Sequence, residues 1–209
     1  MIETGTRTLR ERRKAETWTA LHDAAASLAL QRGIEQTTVE AIAENAGVSQ
    51  RTFFNYFRAK EDAILGLQEP HVDPEELSRV STSAEDLLDQ VSRLLMTVAR
   101  SAIGGADPDR RRKLLARYPN LGRHKMEQMV KAETLVCYAV AGLLAADPAW
   151  SAPAAGFGPD ETARMLVMIA GIPLRFNLTS AGFDPAKGVQ PDDLGSSLAL
   201  LHHLQRKLS

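Results

Sequence analysis

The sequence predicts an all-α protein. Apolar residues recur at helical spacing along nearly the whole chain, and period-two alternation of β-branched residues is absent over any useful length. Gly, Pro and Ser/Thr/Asp residues also punctuate the 209 residues at helix-sized intervals, marking off about nine helices. A hydrophobic share of 44% is enough for a core, and 24% charged residues lies near the soluble average.

Trp18, Leu21, Ala25, Leu28 and Ala29 share one helical face. Arg32-Gly33 supplies a last-turn cation and a stop, so the first helix runs from about Arg10 to Arg32. Thr37 and Glu40 form a T-x-x-E capping box for a short second helix with Val39, Ile42, Ala43 and Ala46 inward. Gly47 ends it, and Ser49 caps a third helix carrying Phe53, Phe54 and Phe57. A fourth starts near Lys60 and stops before Pro70. Pro70, Pro74 and the polar stretch between them mark a boundary, dividing residues 1–69 from residues 70–209.

Beyond it, Leu87, Val91, Leu94, Leu95 and Val98 fall inside a helix from Ser83 or Ala84 to Ile103, closed by Gly104-Gly105. Asp107-Pro108 opens another with proline at its first position. Asn120 to Ala146 forms one long helix, and residues 147–159, rich in Pro, Gly and Ala, form a loop. Pro159 to Ser180 is apolar almost all round, through Met165, Leu166, Met168, Ile169, Ile172, Leu174 and Phe176, with a kink expected at Pro173. The last helix runs from Asp192 or Asp193 to Leu208 and carries Leu194, Leu198, Leu201, Leu204 and Leu208. There is no internal repeat.

Composition excludes several classes. Lys plus Arg is 25 and Asp plus Glu is 26, so any attraction to nucleic acid or membrane must be local. The single cysteine, Cys137, allows neither a disulfide framework nor a cysteine-rich zinc site and fits a reducing cytoplasm. The polar, basic N-terminus has no apolar stretch of a secretory signal, and the longest apolar run, Leu135 to Ala146, is too short to span a bilayer. Residues 1–60 hold nine Lys/Arg against seven Asp/Glu, a net +2 concentrated in Arg7, Arg10, Arg12, Arg13 and Lys14. Such a run is either a solvated N-terminal arm or an arm that reaches phosphates.

The chemically informative block is Thr37 to Lys60. Two short helices meet at Gly47-Val48, where glycine permits the positive φ of a tight turn and Val48 plugs the angle. This is helix-turn-helix spacing, and in such a unit the start of the second helix faces the major groove. Gln50, Arg51 and Thr52 are types that read base edges: Gln suits adenine, Arg suits guanine, and a Thr methyl meets a thymine methyl. Thr38, Ser49 and Asn55 belong to the same candidate DNA-binding set, as do Arg10 and Arg13. Tyr56 offers a hydroxyl to phosphate, and Lys60 joins its charge to the amides and positive dipole end of the next helix. Phe53 and Phe57 are core, locking the second helix of the pair onto the first helix of the chain. An ordinary corner of an α-bundle is the plain structural alternative for the block.

Gly47-Val48-Ser49-x-x-Thr52-Phe53-Phe54-x-Tyr56-Phe57-x-x-Lys60-Glu61 resembles the signature of TetR-family transcriptional regulators. Asp23-Ala24-Ala25, Arg32-Gly33, Thr37-Thr38-Val39 and Ile42-Ala43 resemble the same family's first two helices, so the likeness covers about residues 10–65. It implies three N-terminal helices for DNA, a larger helical C-terminal domain for dimerisation and small-molecule binding, and a repressor released from DNA by a ligand. The chain departs from the family's pattern at Phe54, often a tyrosine, and at Ala29, often a large aromatic.

A homodimer on a palindromic, double-stranded operator is expected, because one helix-turn-helix reads too few base pairs. A helix apolar on every face must be covered on every face, so Met165, Ile169, Ile172, Leu194, Leu198 and Leu201 are the expected dimer interface, with Leu200 and Leu204 flanking; a wholly intramolecular core is the alternative. The expected pocket for a small apolar or amphipathic effector draws on Met96, Met126, Met129, Cys137, Tyr138, Arg175 and Phe176, although soft side chains at this spacing equally build plain core. Arg175 and Asn177 either anchor an anionic group or face solvent, and Arg110, Arg111, Arg112 and Lys113 read as a solvated basic face. No catalytic set, metal site or cofactor is expected: Gly156-Phe157-Gly158 lacks a third glycine and a strand, and His202 and His203 point about 100° apart on a helix. A regulator without an effector, partnered by another protein, is the alternative reading, and an all-α enzyme a more remote one.

Overall fold

The computed structural model describes residues 8–83, 85–104, 107–153, 155–183 and 188–208. Among them every regular element is a helix: α1 Leu9–Arg32, α2 Val39–Asn45, α3 Gln50–Phe54, α4 Lys60–Leu65, α5 Pro74–Ser78, α6 Leu87–Ser101, α7 Pro108–Arg117, α8 Leu121–Ala146, α9 Pro148–Ser151, α10 Pro159–Thr179 and α11 Pro191–Leu208. The nine expected helices are present. The two additional ones, α5 and α9, are single turns opened by Asp73-Pro74 and Asp147-Pro148, whose aspartates accept from Glu75 and Ala149 amides. Proline punctuation looks the same in sequence whether a helical turn or a loop follows. Arg7, Ala84 and Gly105, named above, lie outside the described residues.

Three local expectations need correction. Thr38, not Thr37, caps α2: its Oγ1 accepts from the Ala41 amide at 3.1 Å. Thr37 is buried, and its hydroxyl donates to the Gly33 carbonyl at 2.8 Å. The third helix ends at Phe54, so Phe57 lies beyond it. The helix expected from residue 83 or 84 to Ile103 spans Leu87–Ser101.

The chain divides into two compact units, Met1–Gln68 with Gly104–Lys125, and Glu69–Ile103 with Met126–Ser209. Residues 104–125 therefore group with the N-terminal unit, rather than with everything after residue 70.

In the first unit, Leu21, Ala25 and Ala29 of α1 share a core with Ile42, Phe53, Ile64, Leu65, Leu114 and Leu121. Helix α7 ties this unit at its helix ends. Arg111 donates through Nε to the Leu65 carbonyl at 2.9 Å, Arg117 Nη1 donates to the Leu30 carbonyl at 2.8 Å, and the Tyr118 hydroxyl donates to the Ala29 carbonyl at 3.1 Å. These oxygens belong to the last turns of α4 and α1, where cations suit the negative dipole end, and the Ala29 carbonyl also accepts from the Gly33 amide at 3.1 Å. Arg110 pairs with Asp23 at 2.6 Å. The expected solvated face thus holds only in part, since Arg111 is 8% exposed. Gly104 is required by packing, because a Cβ there would fall 2.2 Å from the Trp18 ring.

His22 is buried in this unit, and its Nδ1 lies 2.7 Å from the Ala63 carbonyl, which it can reach only as the donor. Its Nε2 is buried without a partner among the described residues. Burial pushes its pKa below the ordinary 6.5, outweighing the opposing hydrogen bond to Ala63. A histidine held neutral in the fold stabilises it fully above the unfolded-state pKa. As pH falls below about 6.5 the unfolded chain takes up the proton first, and stability drops. We expect the urea midpoint to fall between pH 7 and pH 5, and His22→Gln to flatten that slope; an unchanged slope in the variant would assign the pH dependence elsewhere.

In the second unit, Leu87, Val91, Leu95 and Val98 of α6 meet Ala132, Val136, Val140 and Leu144 of α8, and Ala163, Val167, Ala170 and Leu174 of α10. Leu194 and Leu198 of α11 belong to this same core, at 1% and 2% exposure. They are therefore consumed by their own chain, which corrects their assignment to a subunit interface. Asn177 stitches α10 to α11, with Nδ2 donating to Ser197 Oγ at 2.9 Å and to the Asp193 carbonyl at 3.2 Å. Helix α10 continues as one element through Pro173. Helix α8 is long and apolar enough to cross a membrane by length and composition alone. Its inner stripe of Ala132, Val136, Val140 and Leu144 is nevertheless buried in the core.

Candidate nucleic-acid interface

The turn between α2 and α3 is closed by two reversed hydrogen bonds. The Gly47 amide donates to Glu44 at 3.1 Å, and the Val48 amide donates to Ala43 at 2.9 Å. Gly47 sits at φ 68°, the left-handed conformation this helix stop demands. Val48 then tucks against the first unit's core. Ser49 starts α3 by accepting from the Thr52 amide at 3.1 Å, and its hydroxyl also meets the Thr52 hydroxyl at 2.9 Å.

Phe53 fixes the rotation of α3. It is fully buried and packs edge-on to Phe54 and tilted against Phe57, which in turn meets Trp18. With Phe53 inward, Gln50, Arg51, Phe54 and Asn55 point outward and are exposed. Gln50, Arg51 and Asn55 make no side-chain hydrogen bond or ion pair among the described residues, so their recognition groups remain free for an external partner. Thr52 is half-buried with its hydroxyl engaged by Ser49, and Thr38 and Ser49 spend their hydroxyls on helix caps. Tyr56 is half-buried against the core. Phe54, 57% exposed, presents a bare aromatic ring on the same outward face.

Cations on two other helices belong to the same candidate set. Arg10, Arg12, Arg13 and Lys14 are exposed on the first turns of α1, which begins at Leu9 with a Thr8–Glu11 capping box. Lys60 sits at the first position of α4 and donates through Nζ to the Ile34 carbonyl at 2.9 Å. Sequence spacing did not reveal that tie, because its partner is a backbone oxygen after the Gly33 stop.

Residues 21–65 match the model for bacterial regulatory proteins of the tetR family. Over this segment the chain is similar to the TetR family. A stretch of 57 residues is 46% identical to the HTH-type transcriptional regulator TcmR of Streptomyces glaucescens, covering 27% of this chain and 25% of TcmR. The chain therefore spans about a quarter of that relative's length. Looser whole-chain likenesses reach NalD, the secondary repressor of the MexAB-OprM multidrug efflux pump in Pseudomonas aeruginosa, at 20% identity, TM-score 0.45, 91% of this chain and 96% of NalD. FadR, a repressor of Thermus thermophilus, follows at 23% identity, TM-score 0.30, and 88% and 92% coverage. The matched segment contains the whole α2–turn–α3 pair, with Phe53 buried and Arg51 outward.

The second unit carries an open groove of about 410 Å³ between α8 and α10. Of the expected effector residues, Cys137 and Tyr138 line it. Met96 is in the α6 core, Met129 packs against that core, and Met126, Arg175 and Phe176 are exposed, so none of these five lines the groove itself. Arg175 is spent on Glu133 at 2.8 Å and on the Met168 carbonyl at 2.8 Å. Among the expected interface residues Met165 and Ile172 are exposed, while Ile169 and Leu201 are half-buried. Met168 and Phe176 extend the exposed stripe of α10, and Leu200 and Leu204 expose apolar surface on α11.

Proposed function

We propose that the chain is a sequence-specific DNA-binding transcriptional regulator, working as a cytoplasmic homodimer on a palindromic operator and acting as a repressor that a small apolar or amphipathic molecule releases. The observation that carries the reading is the outward face of α3 and its C-cap: Gln50, Arg51 and Asn55 are exposed and, among the described residues, unpartnered, on a helix whose rotation is locked by buried Phe53. Side chains that can bond base edges, held rigidly and left unpaired, suit major-groove readout. The exposed Arg10 and Arg13 supply charges that position without reading sequence.

Pairing is supported by the stripe of Met165, Met168, Ile172 and Phe176, which are 46–59% exposed on one side of α10. That is more contiguous apolar surface than a solvated helix face carries. Leu200 and Leu204 take the place that Leu194 and Leu198 were expected to fill.

Arg51→Ala is expected to weaken operator binding by about 1–3 kcal/mol and to relax preference at one base position. Arg13→Ala is expected instead to weaken all sequences alike and to reduce the salt slope by about one. Anisotropy titrations over a salt series distinguish the two. Equal behaviour of the two variants would show that α3 does not read bases.

A further inference from the structure

We infer that the groove between α8 and α10 binds an amphipathic organic cation, which rests on the reading of the chain as an effector-released regulator and names the class of effector. Ala141 and Val167 form an apolar floor, at 8% and 4% exposure, and Val130 adds an apolar wall. Such a surface takes a hydrocarbon or aromatic body. Carboxylates outnumber cations around it. Glu133, Asp160 and Glu161 line the groove against a single lining cation, Arg164. Arg175 answers Glu133 at 2.8 Å, and the Gly158 amide donates to Glu161 at 3.1 Å. Asp160 has no partner among the described residues, so the lining retains an excess of carboxylate.

Tyr138 sharpens the sign. It lines the groove with its side chain largely outside the core, at 75% exposure. An aromatic face beside carboxylates attracts a cation and repels an anion. The sole cysteine, Cys137, also lines the groove. Burial pushes its thiol upward in pKa, with Arg164 opposing and Asp160 adding to the shift.

The test uses two probes of matched shape and opposite charge, tetraphenylphosphonium and tetraphenylborate, in equilibrium dialysis against the full-length protein. The inference predicts that the phosphonium binds at least about tenfold more tightly. Glu133→Gln with Asp160→Asn should bring the two affinities together, and Thr134→Arg, placing a cation on an exposed lining position, should weaken the phosphonium about tenfold or more. Circular dichroism melts of each variant show that the fold survives. Tighter borate binding, equal binding of both probes, no phosphonium binding, or indifference to Thr134→Arg would each overturn the inference. Anisotropy of the same preparations on DNA keeps the two readings apart. Intact DNA binding with no cation preference rejects the effector class alone, whereas loss of DNA binding by the unmodified protein rejects the regulator reading.

Discussion

Phe53→Ala should lower stability by about 3–5 kcal/mol and abolish DNA binding together with it. Phe53 is fully buried, and no other side chain of α3 enters the core. The helix is five residues long, far too short to hold itself. Its orientation depends on that ring against Phe57, and through Phe57 on Trp18. Truncation leaves a cavity under α3 and releases the constraint that aims Gln50, Arg51 and Asn55 outward. Urea unfolding followed by circular dichroism measures the first effect, and anisotropy on DNA the second. Phe53→Leu, which keeps most of the volume, should recover the larger part of both. If Phe53→Ala bound DNA normally at a temperature where it is folded, the orientation of α3 would not depend on this packing.

A second large effect is expected at the exposed apolar stripe. Ile172→Glu combined with Leu204→Glu places two charges on surface that is 46% and 47% exposed in the single chain. Neither side chain is part of the buried core, so the melting behaviour of the chain itself should change by no more than about 0.5 kcal/mol. Burying carboxylates against apolar groups of a second copy is costly, so the dimer should dissociate. Light scattering should then report the mass of one 22.8 kDa chain instead of two. Operator affinity should fall by about a hundredfold or more, because each head loses the effective concentration supplied by its twin. An undisturbed dimer would move the interface to another face.

These two predictions also show where the sequence was informative. The Phe53, Phe54, Phe57 cluster could be divided into core and surface because Gly47, Ser49 and the aromatic spacing fix the phase of a short helix. The cap at Thr38 could not be separated from Thr37 in the same way. Both are β-branched hydroxyls with Glu or Ala three residues on, and only burial of Thr37 against the Gly33 carbonyl distinguishes them. In α11, leucines recur so densely that periodicity alone does not say which stripe faces inward. Packing against α6, α8 and α10 selects Leu194 and Leu198 and leaves Leu200 and Leu204 outside. The role of α7 was hidden for a further reason. Arg111 and Arg117 bond backbone carbonyls of α4 and α1, and such partners leave no mark in the composition of either segment. The groove was legible only at Cys137 and Tyr138, since its carboxylates come from two helices distant in sequence.

Selection from a pool of random duplex DNA tests the central claim most directly. The full-length protein and Arg51→Ala would be carried through the same rounds near physiological salt with excess competitor. The unmodified protein should enrich a two-fold symmetric site, with half-sites about one helical turn or a multiple of it apart. Its affinity for that site should lie in the range of about 10⁻⁸–10⁻¹¹ M, with the variant losing preference at one position in each half. Failure of the unmodified protein to enrich any sequence, together with no binding of duplex DNA at low salt, would contradict the assignment of α3 as a reading helix.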